Sequence, residues 1–461
     1  MSKNDRWLFY GLITLVCWVP IPIGSNRAWA WSLLELFTYT LTITWFWQFA
    51  KSYDFIKLKP YRPILYILGI TQVWVIIQLI PLPVGLLSIL NESLASHYQS
   101  VNNTVATISL DPDKTLAQLL KGISYLCIAF LTLVLTNTSK RLRILIYCLL
   151  ISGVFQALYG TLFVLSDTTA LMFSDRRSSG LATGTFIYRN HYANFLMMTL
   201  SIGVGLLVAS LTSKRKQNIK RKIADLVNTL FSPKALMRMG LIIMVIALVL
   251  SRSRMGNAAF FISLTFCSVF ALVFMQNKTR GLIWLFGSMM VIDIFIVSTW
   301  FGLEEVRERL QNTSVEQETR DEVVTYGFDL INQYPITGTG AGSFSSSFPS
   351  VKGEGINYFY NFAHNEYLQF TIEYGLPITV LLGVLILWSL WHAQYALRNR
   401  RKSLLKGLGF ATMMAIIGQL IHISVDFTLQ PPANAVYFII ILCLAWIARY
   451  SKFSFRSSNT S

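Results

Sequence analysis

Apolar runs dominate the pattern of hydrophobic and polar positions along the chain. Runs of about 18 or more mostly apolar residues recur through the whole length, separated by short polar segments. A helix of such a run crosses the ~30 Å hydrocarbon core of a bilayer, because each helical residue adds ~1.5 Å. The pattern predicts an all-α polytopic membrane protein, one transmembrane domain over residues 1–461. Its twelve or so transmembrane helices have the approximate limits 7–24, 28–50, 63–80, 116–136, 144–165, 190–211, 239–251, 255–275, 281–301, 366–390, 407–425 and 434–450.

The polar segments between these helices differ in length and character. On one side of the membrane three of them exceed a turn, roughly 81–115, 166–189 and 302–365. The last is a large loop between helices 9 and 10, and we expect it to cap that side of the protein. On the other side, residues 212–238 form a basic amphipathic segment that is typical of a helix lying on anionic lipid.

The distribution of basic residues predicts which side of the membrane is cytoplasmic. The chain is 54% hydrophobic and only 13% charged, with a net charge of +17. If successive helices alternate in direction, most of the 39 Lys and Arg residues fall on one side, which the positive-inside rule makes the cytoplasmic side. Both termini are then cytoplasmic. The basic excess sets orientation and attracts membrane lipids, so no nucleic-acid partner is expected.

Cysteine and histidine spacing points to no metal and no cofactor. All five cysteines fall inside predicted helices, so no disulfide framework is implied. No Cys/His spacing of a zinc site is present.

The stretch FAHNEYLQF, residues 362–370, places polar residues where an apolar run begins. Glu366, Gln369 and Glu373 recur at helical spacing and form one stripe, which must face protein or a wet cavity because lipid does not accept it. His364 precedes the stripe, with Asn365 beside it. An imidazole with an ordinary pKa near ~6.5 suits proton transfer, so a catalytic role is favoured over a structural one.

A second polar cluster, GTFIYRNHYAN, opens the sixth predicted helix. Arg189 and His191 lie two residues apart and would diverge by ~200° on a helix, so both can face one site only if the helix starts between them. An aromatic and basic interface belt is the alternative. Asn190 and Asn194 add a polar face that such a belt does not need.

Two further clusters add arginines on the same side. SRSRMG, residues 251–256, lies in a tight hairpin between two apolar runs. Arg252 and Arg254 either hold an anion or extend to lipid headgroups, and spacing does not decide which of them faces inward. Arg320 lies in the large loop among acidic residues, where an ordinary surface ion pair is the alternative to a role in a site.

Other polar positions are weaker candidates. Gly338, Gly340 and Gly342 lack the strand and helix of a phosphate loop, and a flexible gate or a turn is the better explanation. Asp293 and Asp426, in or near predicted helices, could form a transport relay, although no inverted repeat supports one. No role is assigned to His97, His392 and His422.

The chemistry of these clusters suits a lipid-linked pyrophosphate. Guanidinium groups bind phosphate oxygens in bidentate fashion and would stabilise the charge that develops on a leaving pyrophosphate. A nearby histidine could accept the proton of an attacking sugar hydroxyl. A polyprenyl-pyrophosphate donor is already activated, so transfer outside the cytoplasm would need no ATP.

The motifs GTFIYRNHYANF, SRSRMG, YPITGTGAGSF and AHNEYLQFTIEYGLP resemble the O-antigen ligase and Wzy-type polymerase superfamily of bacterial envelope glycan ligases and polymerases. The resemblance covers residues 180–380. It implies a GT-C-like, metal-independent, inverting glycosyltransferase with an undecaprenyl-pyrophosphate-linked glycan as donor. The acceptor would be lipid A–core for a ligase or a growing polysaccharide for a polymerase, and the ligase is slightly favoured.

The resemblance also implies roles for individual residues. His364 would orient or deprotonate the acceptor hydroxyl. Arg189 and one of Arg252 and Arg254 would hold the donor pyrophosphate, and Arg320 would be a further donor contact. Supporting polar residues would be Asn190, His191, Asn194, Asn365, Glu366 and Gln369.

Two other functions remain open. A transporter of lipid-linked sugars would share the helices and the basic groups, but it would not need a ~60-residue loop over one face, because alternating access works through repeats about a midplane site. An oligosaccharyltransferase acting on protein would carry an additional soluble domain.

Overall fold

The computed structural model describes residues 5–99, 105–165, 180–212, 233–275, 280–288, 315–353 and 359–452. These residues are almost entirely helical. The α-helices are α1 (Arg6–Trp18), α2 (Ala28–Phe49), α3 (Arg62–Leu79), α4 (Val84–Leu90), α5 (Glu92–Gln99), α6 (Pro112–Leu135), α7 (Ser139–Leu165), α8 (Arg189–Thr212), α9 (Pro233–Leu250), α10 (Arg254–Phe274), α11 (Val315–Gln333), α12 (Phe344–Ser347), α13 (Glu366–Tyr374), α14 (Leu376–Asn399), α15 (Ser403–His422) and α16 (Pro432–Tyr450). Residues 280–288 are also helical. Two short strands, β1 (Leu82–Pro83) and β2 (Val105–Ala106), pair antiparallel with Leu82 opposite Ala106.

Eight of the described helices are long and apolar enough to cross a membrane. They are α3, α6, α7, α8, α10, α14, α15 and α16. Helix α2 is also 22 residues long, whereas α1 and α9 are shorter apolar helices. Large apolar side chains such as Trp47 and Ile43 stand exposed on these helices, as expected where lipid is the solvent. The chain is therefore an all-α, multi-pass membrane protein, and the number of twelve helices stays a prediction.

Helices α8 and α15 form the centre of the bundle. They pack along most of their lengths, and Gly205 and Gly407 meet where the two backbones approach closely. A Cβ atom on Gly205 would lie 2.4 Å from the Gly407 carbonyl oxygen, so a larger residue would separate the helices. Helix α16 is buried on nearly all sides beside this pair.

A second apolar core lies at one end of the bundle. It joins the segment after α3 to the described part of the large loop, through residues such as Leu87, Ile108, Val323, Phe348 and Leu368. We call this end, built from residues 82–99, 105–111, 315–353 and 359–374, the cap. Helices α6, α14 and α16 begin at the cap, whereas α3 and α15 end there.

The opposite end of the bundle holds both ends of the described chain. Arg141 pairs with Asp5 at 2.7 Å and donates to the Leu135 carbonyl at the end of α6. Arg400 donates a hydrogen bond to the Ser451 carbonyl. Helices α6 and α16 both run from the cap to this end, so residues 5 and 452 lie on the same side of the protein.

The sequence predicts a tenth membrane helix over residues 366–390, and the predicted start of this helix is wrong. The structure breaks it at Gly375, which has φ 78°, into the short helix α13 and the candidate membrane helix α14. Other predictions fall outside the described residues, among them most of the amphipathic segment 212–238, the ninth helix beyond residue 288 and the start of the large loop, 302–314.

Candidate active site

Phe427 is the centre of an aromatic cluster at the cap end of the bundle. It lies in the loop of residues 423–431, between α15 and α16. Tyr188 and Phe362 stack on its ring, with centroids 5.5 and 4.4 Å away. His191 and His364 meet it edge-on at 5.0 and 4.8 Å. One ring thus brings the RNH motif and the AHNEYLQF motif together.

Asp426, the neighbour of Phe427, is linked to the third motif. The Asn190 amide donates a hydrogen bond to the Asp426 carboxylate. The Asn190 carbonyl oxygen accepts a hydrogen bond of 2.7 Å from the hydroxyl of Ser253, in SRSRMG. The Phe427 backbone N–H donates to the second Asp426 oxygen at 2.8 Å. Asn190 is therefore a bridge between the 423–431 loop and the SRSRMG hairpin.

The structure places the predicted base, His364, in a strained but well-supported position. Its φ of 53° is left-handed, a region that non-glycine residues seldom adopt. The next residue, Asn365, begins α13 by accepting a hydrogen bond from Leu368 N–H at 3.1 Å, and the preceding Ala363 N–H donates to Gln369. Strain held by its neighbours in this way is typical of functional positions.

The stripe behind His364 is buried against protein, as its spacing predicted. Glu366 is fully buried and accepts a hydrogen bond of 2.9 Å from Leu429 N–H, in the 423–431 loop. Gln369 donates to Glu373 at 3.0 Å. Helix α13 ends before the candidate membrane helix α14, so these groups belong to the cap.

Burial controls the pKa of both carboxyl groups in the stripe. Desolvation raises the pKa of Glu366 well above its ordinary value, against the opposing hydrogen bond from Leu429 N–H. Desolvation also raises the pKa of Glu373, to about 7, although hydrogen bonds from Gly342 N–H and Gln369 favour its charged form. Near neutral pH Glu373 can therefore be present in either form.

The predicted donor-binding arginines surround two helix N-termini. Helix α8 starts at Arg189 and α10 at Arg254, and the Ser253–Asn190 bond holds these two ends together. Arg189, Arg252 and Arg254 are all exposed. Backbone N–H groups at helix N-termini favour anions, so the arrangement combines exposed guanidinium groups with two positive dipole ends. The side chain of Arg320 lies outside the described residues, although its backbone is in α11.

The structure decides two points that the sequence left open. Helix α8 begins at Arg189, not between Arg189 and His191, so Arg189 is exposed while His191 turns inward and is buried. The glycine run is a turn, which is one of the two explanations that the sequence predicted. All three glycines have positive φ, and Gly340 N–H donates to the Glu373 carbonyl at 3.1 Å.

Some residues at this centre were missed or given the wrong weight by sequence reasoning. Asp426 was considered only for a transport relay, and Phe427 was not considered. His422 was given no role, yet its Nδ1 lies 3.2 Å from Asn194 Oδ1. A usable signal was present in the polar residues after α15, because a short connection between two membrane helices seldom needs both Asp and Gln.

Residues 239–383 match the family described as O-antigen ligase. The matched stretch contains SRSRMG, the large loop, His364 and the α13 stripe, and it begins after the RNH motif. No curated protein matches the chain.

The candidate membrane helices make the chain a multi-pass membrane protein. The family that residues 239–383 match is one of glycosyltransferase-like enzymes. The resemblance to the O-antigen ligase and Wzy-type polymerase superfamily is thus confirmed, through the O-antigen ligase family region at residues 239–383.

Proposed function

We propose that the protein is a metal-independent, inverting glycosyltransferase of the bacterial inner membrane, which transfers a glycan from undecaprenyl pyrophosphate to a sugar hydroxyl at the periplasmic face. The observation that carries the proposal is the convergence at Asp426 and Phe427. Three motifs that are distant in sequence meet there, one with the histidine and two with arginines. Together they supply a base and an anion site beneath a cap.

The reaction is a single displacement. The acceptor hydroxyl attacks the anomeric carbon of the donor sugar, the bond from that carbon to the pyrophosphate oxygen breaks, and undecaprenyl pyrophosphate leaves. His364 accepts the hydroxyl proton as the new glycosidic bond forms. The guanidinium groups of Arg189, of one of Arg252 and Arg254, and of Arg320 stabilise the growing charge of the leaving pyrophosphate. Asn190, His191, Asn194, Asn365, Glu366 and Gln369 hold these groups in place.

The acceptor distinguishes the two members of the superfamily. We assign lipid A–core as the acceptor, which makes the protein an O-antigen ligase, and a Wzy-type polymerase that extends a polysaccharide is the alternative. The envelope glycans of a deletion strain separate them. A ligase defect leaves core without any repeat unit, whereas a polymerase defect leaves core carrying a single repeat unit.

Purified protein tests the chemistry directly. Detergent-solubilised protein is incubated with a polyprenyl-pyrophosphate-linked glycan and an acceptor, in EDTA and without ATP. The expected result is a new glycosidic bond and free polyprenyl pyrophosphate. If vesicles instead show movement of the donor across the membrane and no new bond forms, the protein is a transporter and the proposal fails.

His364→Ala tests the catalytic assignment. We expect transfer to fall by about 10²–10⁴-fold, the usual contribution of a general base, while donor binding is retained. His392→Ala is the matched control, because His392 lies near the opposite end, with its ring 4.1 Å from that of Trp446. Wild-type rates in a folded His364→Ala protein would remove His364 from the mechanism.

A further inference from the structure

A polar cavity of about 680 Å³ adjoins the candidate active site. Its wall includes Phe362, which stacks on Phe427, and the stripe residues Gln369 and Glu373. Through Phe362 the cavity adjoins the aromatic cluster around Phe427, which also contacts His364. The donor arginines at the starts of α8 and α10 are not among the residues that line it.

The cavity is rich in cationic side chains. Arg27 at the start of α2 and Lys114 and Lys121 on α6 all line it. Arg27 is exposed. Lys121 lies with its Nζ 4.3 Å from the centre of the Trp31 ring, which holds the ammonium in position. Lys114 is already paired with Asp111 at 3.0 Å, whereas Lys121 interacts with Glu35 and Glu373 only at longer range, so Arg27 and Lys121 are the better groups to receive an anion.

An apolar groove of about 160 Å³ continues from this cavity into the bundle. Gln118 and Gln430 line both spaces, so the two are adjacent. Below these residues the groove is lined by side chains of α3, α6, α14 and α16, among them Leu68, Leu385 and Leu442. Helices α3 and α14 are the least buried of the candidate membrane helices, which puts the groove at the perimeter of the bundle.

The depth of the groove matches one leaflet of a membrane. Leu442 lies about ten residues beyond the start of α16 at Pro432, which is roughly 15 Å along a helix. Half of a ~30 Å hydrocarbon core has the same depth. A hydrocarbon chain in the groove would lie in the leaflet next to the cap, and its headgroup would stand in the basic cavity.

From this continuity we propose that the cavity and the groove form the binding site of the acceptor, a lipid whose headgroup carries phosphate. A phosphate of the acceptor lies between Arg27 and Lys121, one hydrocarbon chain enters the groove, and the acceptor sugar extends past Phe362 to His364. The assignment rests on the proposed transfer reaction, and it places donor and acceptor on two distinct basic surfaces that meet at His364. If the protein bound only the donor, at the starts of α8 and α10, the basic cavity with Arg27 and Lys121 would have no ligand.

Direct binding tests the site without turnover. Native mass spectrometry in detergent, with no donor present, gives the affinity for purified lipid A–core and for the same lipid with its phosphates removed. We expect Arg27→Gln and Lys121→Gln each to weaken binding of the phosphorylated lipid about 10-fold or more, as for the loss of one charge-assisted contact. The dephosphorylated lipid binds the wild type weakly, and neither substitution changes its affinity.

Two controls make the result specific. Lys352→Gln removes a positive charge from the exposed surface of the cap, away from the cavity, and we expect its binding to match that of the wild type. Ala435→Phe puts a large ring into the groove and should weaken binding of both lipids. Thermal unfolding of each variant excludes loss of fold, and the two charge variants test the site even if Ala435→Phe does not fold.

Undecaprenyl pyrophosphate is the third probe. If Arg27→Gln and Lys121→Gln weaken its binding and leave that of lipid A–core unchanged, the cavity serves the donor and the inference is overturned. Unchanged binding of all probes overturns it as well. If the wild type binds lipid A–core as expected but forms no glycosidic bond, the proposed function fails while the site stands.

Discussion

Asn190 shows how a single polar side chain can align the candidate active site. Its amide group donates to Asp426, and its carbonyl oxygen accepts from Ser253 at 2.7 Å. Both halves of the amide are used, and each contacts a different connection between membrane helices. In a partly buried site such bonds fix geometry more firmly than the same bonds would in water.

Asn190→Ala should therefore misalign the site without unfolding the protein. Loss of both bonds leaves Asp426 and Ser253 without this partner, a cost of about 1–3 kcal/mol for each buried group, and we expect transfer to fall about 10-fold or more. Asn399→Ala is the matched control, because Asn399 is exposed at the opposite end and, among the described residues, its side-chain amide donates only to the Tyr395 carbonyl. The measurement is the initial rate of glycan transfer by purified protein. Equal rates for the two variants would show that the bridge is not needed.

Glu373 gives a prediction for pH. Its folded-state pKa of about 7 exceeds the ordinary value of 4.5 because burial disfavours the carboxylate. The folded protein therefore binds this proton more tightly than the unfolded chain does. The resulting contribution to stability is fully present below pH 4.5 and is lost as pH rises through 7.

The substitution Glu373→Gln should remove this dependence. We expect the variant to lose less thermal stability than the wild type between pH 5 and pH 8, by a shift of a few degrees in Tm. Thermal unfolding in detergent at both pH values measures it. Parallel pH dependence in the two proteins would mean that the carboxyl group is not desolvated.

At the scale of elements, one glycine sets the direction of the α13–α14 pair. Gly375 has φ 78°, and a Cβ atom there would lie 2.1 Å from the Ile336 carbonyl oxygen. The backbone must turn between the stripe helix and the membrane helix, and the chain from the glycine run passes directly beside this turn. A side chain would collide with that chain and strain the left-handed backbone.

Gly375→Ala should destabilise the protein by at least about 1–3 kcal/mol and lower transfer, because α13 carries the stripe behind His364. Gly383→Ala is the matched control within α14, where a Cβ atom meets no other atom within 4 Å. Alanine has a higher helix propensity than glycine, so this control substitution should be neutral or slightly stabilising. Unfolding curves in detergent compare the two. A Gly375→Ala protein as stable as Gly383→Ala would show that the turn tolerates a side chain.

The apolar pattern was a good guide to the membrane helices and a poor guide to the loops. It predicted α6, α7, α8 and α16 closely, because lipid requires long apolar helices and a long apolar run has few alternatives. It missed the break at Gly375, because a short buried cap helix beside a membrane helix produces one continuous run of helical periodicity. Periodicity reports which face is buried, but not whether protein or lipid covers it.

The centre of the site was only half predictable for a related reason. His364 and the arginines could be predicted because ionisable groups at the edge of the membrane carry a free-energy cost and therefore usually mark functional sites. Phe427 gave no such signal in a chain with 31 Phe residues. Its role depends on contacts with Tyr188, His191, Phe362 and His364, and contacts across such sequence distances leave no trace in local spacing.

At the scale of the whole molecule, the two ends of the bundle differ in charge. The described end opposite the cap has basic residues in nearly every connection, namely Lys51, Lys57, Lys59, Arg62, Lys140, Arg141, Arg143, Arg398, Arg400, Arg401, Lys402 and Lys452. The cap end also has basic residues, but most of the described ones line the cavity or stand at the starts of α8 and α10, and Lys352 on the exposed surface is an exception. The positive-inside rule therefore predicts that the cap lies in the periplasm, and the basic residues proposed to bind ligands then lie on the side opposite to those that would set orientation.

Cysteine labelling tests this orientation. Lys352 is exposed on the cap and Arg401 is exposed at the opposite end, so Lys352→Cys and Arg401→Cys are matched probes. We expect a membrane-impermeant maleimide to label Lys352→Cys in intact spheroplasts and Arg401→Cys only after lysis. The parent protein gives the background from its five native cysteines. The reverse pattern would put His364 and the arginines in the cytoplasm, where nucleotide-activated sugars are available. A pre-activated lipid-linked donor would then lose its main rationale, and the proposed reaction would have to be abandoned.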